Sequence, residues 1–331
     1  MLNHNPLLRS EPFEQIDRGE PTPKVSNLKP VDGFINLKKL PDWTSHDCVA
    51  KVRRILQTKK VGHGGTLDPA AVGVLPIAIG KATRLLQYLP TGKAYRAIIR
   101  LGVQTTTDDL EGEIIYSKPA TDLTIEQIRQ ALTEFIGEIV QTPPMYSAIQ
   151  IGGQRLYKLA RAGEVVQVPT RQVTIDRIDV LNWTHGDFPE VEVQIACGGG
   201  TYIRSIARDL GVKLGTRGVL AFLERNASCG LQLANSITLE ELAQQQQAGT
   251  FRPITPDRGL ADLPSATLMD AELVKFWSQG KQLLLSSIEL TPTASELSGY
   301  VKVMSAGNCL GIGEIQSIDG AQLIVPQKVL I

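Results

Sequence analysis

A chain of 331 residues with 42% apolar content can bury a sizeable core in one long domain or two shorter ones. Lysine plus arginine and aspartate plus glutamate each number 34, so no global positive field draws nucleic acid in, and any such binding must use a local patch. The four cysteines, Cys48, Cys197, Cys229 and Cys309, form no CxxC pair and stand with no histidine at metal-ligand spacing, which points away from a metal site and toward a reduced, cytoplasmic setting.

Residues 1–30 read as a flexible tail, polar and proline-interrupted, without the apolar core of a signal sequence, and no stretch of the chain is apolar for long enough to cross a membrane as a helix. The strand-like Gly33–Leu37 leads through Pro41 to Thr44 and Ser45, which can cap a helix carrying Val49, Val52, Ile55 and Leu56 on one face and Lys51, Arg53 and Arg54 on the other. Tyr95, Ala97, Ile99 and Leu101 share one face of a strand, with Arg96 and Arg100 opposite. Thr124 and Gln127 form a capping box for a helix with Ile125, Ile128, Leu132, Phe135 and Ile136 at helical spacing, and a later helix starts at Thr238 with Glu241.

Between those helices Val191, Val193 and Ile195 alternate with Glu192 and Gln194, and Gly198–Gly200 then break the strand before TYIRSIARDLG, a helix with Ile203, Ile206, Ala207 and Leu210 as its buried stripe. Arg204 and Arg208 lie together on another side of it. This mixed order of strands and helices predicts an α+β architecture rather than a doubly wound one. Beyond about residue 250 prolines and short alternating stretches such as GYVKVM predict a small β-rich C-terminal module.

Chemistry concentrates in Val61–Arg84, VGHGGTLDPAAVGVLPIAIGKATR. Gly64 and Gly65 let backbone approach a ligand closely, and Pro69 restricts Asp68 to extended geometry, so the main chain aims its carboxylate. Neither this segment nor GGGTYIR has the spacing of a P-loop or a GxGxxG turn, which sets nucleotide-dependent chemistry aside.

GGTLDPAAVGVLPIAIGKATR closely resembles the catalytic signature of TruB-type pseudouridine synthases. Three further blocks agree in order: KAYR at Lys93–Arg96, PPMYSA at Pro143–Ala148 and GTYIRSIARDLG at Gly200–Gly211. The resemblance implies a mixed, largely antiparallel catalytic sheet over residues 31–250 with an RNA-gripping insertion near 143–171, then a linker and PUA-like RNA-binding domain over 251–331. It implies isomerisation of uridine 55 in the TΨC loop of tRNA, without cofactor or metal, by a monomer.

By the same resemblance Asp68 is the catalytic aspartate, acting as nucleophile or base. Tyr95 stacks on the flipped base and serves in proton transfer, and Arg204 holds Asp68 charged and turned through a fork-like contact. Tyr202 accompanies Arg204, Leu223 lies in the uracil pocket, His63 stacks within the T-loop, and Lys39 belongs to a first block. The usual Lys-Pro-x-Gly of that block reads Lys39-Leu40-Pro41-Asp42 here. The basic runs Lys51–Lys60 and Arg155–Arg161 are candidate phosphate contacts.

Each residue alone has a plainer reading. Asp68-Pro69 would start a turn, Tyr95 and Leu223 would be core, Tyr202 would pack beside a glycine turn, Arg204 would be a surface helix arginine, His63 would be a loop histidine with no task, and Lys39 would be solvated. Two other functions share the motifs or the basic patches: a guide-RNA-dependent pseudouridine synthase of dyskerin type, and a non-catalytic tRNA-binding or folding protein. The first keeps the aspartate loop but should leave naked tRNA transcript unmodified, whereas the second needs no Asp68.

Overall fold

Period-two alternation of apolar side chains builds the larger sheet of the computed structural model, which describes residues 32–147, 149–162, 166–291 and 299–331; the expected N-terminal tail lies outside them. Its main strands are β1 (Gly33–Lys39), β2 (Val72–Ile79), β3 (Lys93–Leu101), β4 (Gly137–Gln141), β5 (Arg171–Thr184), β6 (Glu190–Cys197) and β7 (Gly218–Ser228). They lie in the order β1-β2-β7-β3-β6-β5-β4, with Val61–His63 added on β2 and Leu231–Gln232 on β7. All these neighbours are antiparallel except β2 and β7, which run parallel where Val72 and Gly73 face Glu224 and Arg225.

The alternation expected for β3 and β6 holds: Ala97, Ile99, Leu101, Val191, Val193 and Ile195 are all fully buried. Against them packs α3 (Ile203–Lys213) through Ile203, Ile206, Ala207 and Leu210. Capping boxes start α1 (Ser45–Ile55) at Thr44 with Asp47, α2 (Ile125–Thr133) at Thr124 with Gln127, and α4 (Leu239–Gln247) at Thr238 with Glu241. Helix α2 stops short of Phe135 and Ile136, because Gly137 at φ +98 turns the chain into β4 and leaves Ile136 exposed.

Helix α3 has no side-chain cap; the Gln141 side chain instead accepts from Tyr202 N at 2.8 Å and donates to Tyr202 O at 3.0 Å. That grip fixes where the helix begins, and so where Arg204 in its first turn points.

The second sheet comprises β8 (Ser265–Thr267), β9 (Leu283–Leu284), β10 (Glu289–Thr291), β11 (Gly299–Ser305), β12 (Asn308–Ile318) and β13 (Ala321–Val329), ordered β9-β13-β12-β11-β8-β10. Helix α5 (Ala271–Ser278) plugs its core with Trp277, whose indole N–H donates to Leu310 O at 3.0 Å. The protein is therefore α+β, with a β-rich C-terminal module. Ile312 and Leu330 of that module pack with Phe34, Ala78, Ala82 and Leu85, so the two sheets share an apolar seam. Among the described residues no helix is long and apolar enough to cross a membrane.

Candidate active site

The strands and turns converge on a cavity of about 1250 Å³, larger than the roughly 300–1,000 Å³ usual for small-molecule pockets. Asp68, Tyr95, Tyr202, Arg204 and Leu223 all line it, as do Tyr146, Ser147 and Arg155 from the expected insertion. Residues from the aspartate segment, KAYR, PPMYSA and GTYIR thus meet at one place, although they are spread from position 68 to position 204.

Asp68 sits on a loop whose backbone is held from both sides. Arg225, fully buried on β7, donates to Gly65 O at 3.0 Å, Thr66 O at 3.3 Å and Val74 O at 2.8 Å. Ser45 Oγ accepts from Leu67 N at 2.9 Å and donates to Leu67 O at 3.1 Å, and Asp42 N donates to Pro69 O at 3.1 Å. Gly73 at φ +104 lets β2 come close enough for the Arg225 grip, since a Cβ there would stand 2.3 Å from Arg225 O.

Lys39 is not on the cavity wall. Its ammonium is buried and donates to the carbonyls of Leu40 (3.0 Å), Trp43 (2.7 Å) and Pro69 (2.8 Å), so it supports the loop from below instead of reaching for substrate. Burial pulls its pKa down to about 8, partly offset by Cys48 and Asp68. The altered first block keeps its turn: Asp42, where the family block has glycine, adopts φ +65, and aspartate tolerates that left-handed geometry better than most residues.

Arg204 is 6% exposed and donates to Asp68 Oδ2 at 2.9 Å. Its grip differs from the fork on both Asp68 oxygens that the sequence suggested. Nη2 also donates to Tyr146 O at 3.1 Å, while Nη1 serves Thr107 O at 3.1 Å and Asp109 Oδ2 at 3.4 Å. One planar group therefore ties three segments together, and the fork spans two carboxylates. The two carboxylates are not equivalent: Asp109 is 14% exposed and its Oδ1 is taken by Thr107 Oγ1 and Glu111 N, whereas Asp68 is 39% exposed with Oδ1 unengaged among the described residues. Asp68 is the one free to touch a ligand.

Arg208, one turn along the helix from Arg204, pairs with Asp108 at 2.9 Å and donates to Thr142 O at 2.8 Å. Burial raises the Asp108 pKa, and Arg208 opposes that rise. Glu111 is raised by its own burial and then by Asp109 and Asp68, so the wall around the Asp68–Arg204 pair is crowded with acids.

Tyr95 is 6% exposed, and burial holds its phenol above the ordinary pKa while Arg225, directly across on β7, pulls the other way. Leu223 stands opposite Ala97 on the same strand pair. The guanidinium of Arg171 lies over the Tyr202 ring at 5.4 Å. His63 lies edge-on to His46 at 5.6 Å; burial, then His46 and Arg225, lower its pKa, which keeps it neutral at pH 7. His46 itself lines the cavity. The candidates missed in the sequence are Asp109, Arg225 and Lys93. No local spacing marks them, although Lys93 stands in the KAYR block and Asp109 two residues before Glu111. Among the described residues no cluster of acidic, histidine or cysteine side chains could hold a metal ion.

Residues 53–203 match the family described as TruB family pseudouridylate synthase, N-terminal domain. The chain is 55% identical over 301 residues to a Nostoc protein called tRNA pseudouridine synthase B, covering 90% of this chain and 98% of the relative. It is 53% identical over 310 residues to the Gloeothece citriformis protein of the same name, covering 92% and 99%. Among solved structures it resembles a chain of a Cbf5–Nop10–Gar1 complex, with 27% identity, a TM-score of 0.69, and coverage of 90% of this chain and 85% of that one.

Proposed function

Because the chain belongs to the TruB family of pseudouridylate synthases, we propose that it converts uridine 55 in the TΨC loop of tRNA to pseudouridine, with Asp68 as the reacting carboxylate. The observation that carries this reading is the Asp68–Arg204 pair: a carboxylate with one oxygen gripped and the other free among the described residues, at the wall of a cavity roomy enough for a nucleotide and its neighbours, beside a buried tyrosine.

The reaction breaks the N1–C1′ bond, turns the uracil and forms a C5–C1′ bond. C5 gives up its hydrogen and N1 gains one, so no oxidant, reductant or phosphoryl donor is needed. Flipping the base into the cavity displaces water and makes Asp68 more dependent on Arg204 for its orientation. Tyr95 packs on the base, and Leu223 gives an apolar wall beside it. A neutral His63 suits stacking within the loop that the base has left.

Exposed Lys51, Arg53, Arg54, Lys59 and Lys60, together with Arg155 of the 143–171 insertion, supply phosphate contacts, and the module after residue 251 adds RNA-binding surface as a PUA-like domain. The enzyme acts as a cytoplasmic monomer without cofactor. Relatives of 47–55% identity called tRNA pseudouridine synthase B favour this reading over a guide-dependent enzyme. Tritium release from naked tRNA transcript labelled at uracil C5, with the site mapped by carbodiimide and primer extension, tests it. Release from position 55 is expected; no release without added guide RNA or protein refutes it.

A further inference from the structure

Lys93 is the one cavity residue of the KAYR block to which neither the resemblance nor the Asp68 chemistry gives a task. It lies two residues before Tyr95 on β3, and so on the same face, one pleat nearer the glycine turn. Its register neighbours are Cys197 on β6 and Ser228 on β7, both fully buried and neither offering a counter-ion. Among the described residues its ammonium makes no hydrogen bond and no ion pair, although burial and the nearby Arg225 charge lower its pKa.

Arg225 adds a second cation, which makes no ion pair among the described residues. A Cβ built on Gly65 would stand 3.6 Å from Arg225 Nη1 and 3.7 Å from Lys93 Nζ, so both charges crowd one point of the loop that carries Asp68. Asp68 pairs with Arg204, and the other acids of the cavity, Asp109, Glu111 and Glu113, belong to the turn that faces Arg204. Two like charges held together in a partly dry recess repel, and an anion placed between them relieves that repulsion. Arg225 is fully buried and gives three of its five N–H donors to the carbonyls of Gly65, Thr66 and Val74, whereas the Lys93 ammonium lines the cavity with no bond among the described residues, which makes Lys93 the group better placed to bind.

We propose that Lys93 forms a phosphate subsite, gripping one backbone phosphodiester next to the extruded uridine while the Arg225 charge stands behind it. The inference rests on the reading of the protein as an enzyme acting on uridine within RNA. It assigns the basic end of the cavity to the backbone and the Asp68 end to the base and sugar. Such a contact would distinguish a nucleotide inside a chain from a free nucleoside.

The test is a coupling measurement on binding. A T-arm stem-loop carries a single uncharged methylphosphonate at the linkage 5′ or 3′ of the target, with a 2′-deoxy phosphodiester at that position as control. At one of these linkages neutralisation should weaken binding to the wild type about tenfold and leave Lys93→Gln within about twofold. The slope of log affinity against log salt should be shallower for Lys93→Gln by roughly 0.7 to 0.9, and Lys93→Arg should restore both responses. Equal losses in wild type and Lys93→Gln, no linkage-specific loss in the wild type, or an unchanged salt slope would overturn the subsite. Wild-type protein that binds the stem-loop but releases no tritium from tRNA would instead count against the proposed reaction, leaving the subsite to be judged on the coupling.

Discussion

Replacing Arg204 with lysine keeps one positive charge and removes the fork. The wild-type guanidinium serves four acceptors around its edge, at 2.9 Å (Asp68), 3.1 Å (Tyr146 O), 3.1 Å (Thr107 O) and 3.4 Å (Asp109). A single ammonium has three donors and no planar fork, so it cannot keep all four acceptors at these distances. A charge-assisted contact is worth about 1.5–3 kcal/mol, and with Asp68 39% exposed we discount the loss there to about 1–2 kcal/mol. Misaiming the carboxylate adds a term on the order of a hundredfold in rate. Together these give a fall of roughly 500- to 3,000-fold in single-turnover rate at saturating enzyme, read by tritium release. Affinity for tRNA, measured by filter retention, should change little, because phosphate contacts elsewhere dominate it. A lysine variant within threefold of the wild-type rate, or one whose defect lies in binding, would refute the argument.

Asp68→Asn should abolish turnover and keep tRNA affinity, and substantial tritium release by this variant would remove Asp68 from its role. Lys39 has a native pKa of about 8 against 10.5 unfolded, so between those values the unfolded chain binds more protons and this group's contribution to stability rises with pH. Urea midpoints of the wild type should therefore gain on those of Lys39→Met from pH 7.5 to pH 10, and a constant gap would contradict the burial cost. Truncation after Leu263 uncovers the seam filled by Ile312 and Leu330, at a cost of about 3–6 kcal/mol by area burial, visible as a lowered melting temperature. Below that temperature the truncated protein should lose more tRNA affinity than single-turnover rate; equal losses would mean the module supports the active site.

Local signals in the sequence carried the elements well. The Thr44, Thr124 and Thr238 caps, the Tyr95–Leu101 face and the Gly198–Gly200 break before α3 are all set by neighbours within a few residues, and all are present. What local pattern cannot give is the partner of a side chain across the sheet. Arg204 looks like a surface helix arginine until the 105–113 turn folds over it. Arg225 sits in a strand where alternation says only which face it occupies, and its acceptors lie some 150 residues earlier at Val74, Thr66 and Gly65. Lys39 matches a motif by type, yet its role as a buried donor to three carbonyls appears only once the Pro69 loop crosses it.

The parallel contact of β2 with β7 has a consequence for when the protein becomes competent during its own synthesis. By the time α3 has been made, Asp68, Tyr95 and Arg204 are all in the nascent chain, yet the strand that fastens the aspartate loop has not been translated. Pairing Gly73 with Arg225 closes a loop of about 150 residues, a high-contact-order step that comes late and cannot be replaced by nearby contacts. Chains released or cleaved before β7 would carry Asp68, Tyr95 and Arg204 without the Arg225 contacts that hold the aspartate loop, and should be inert toward the RNA around them.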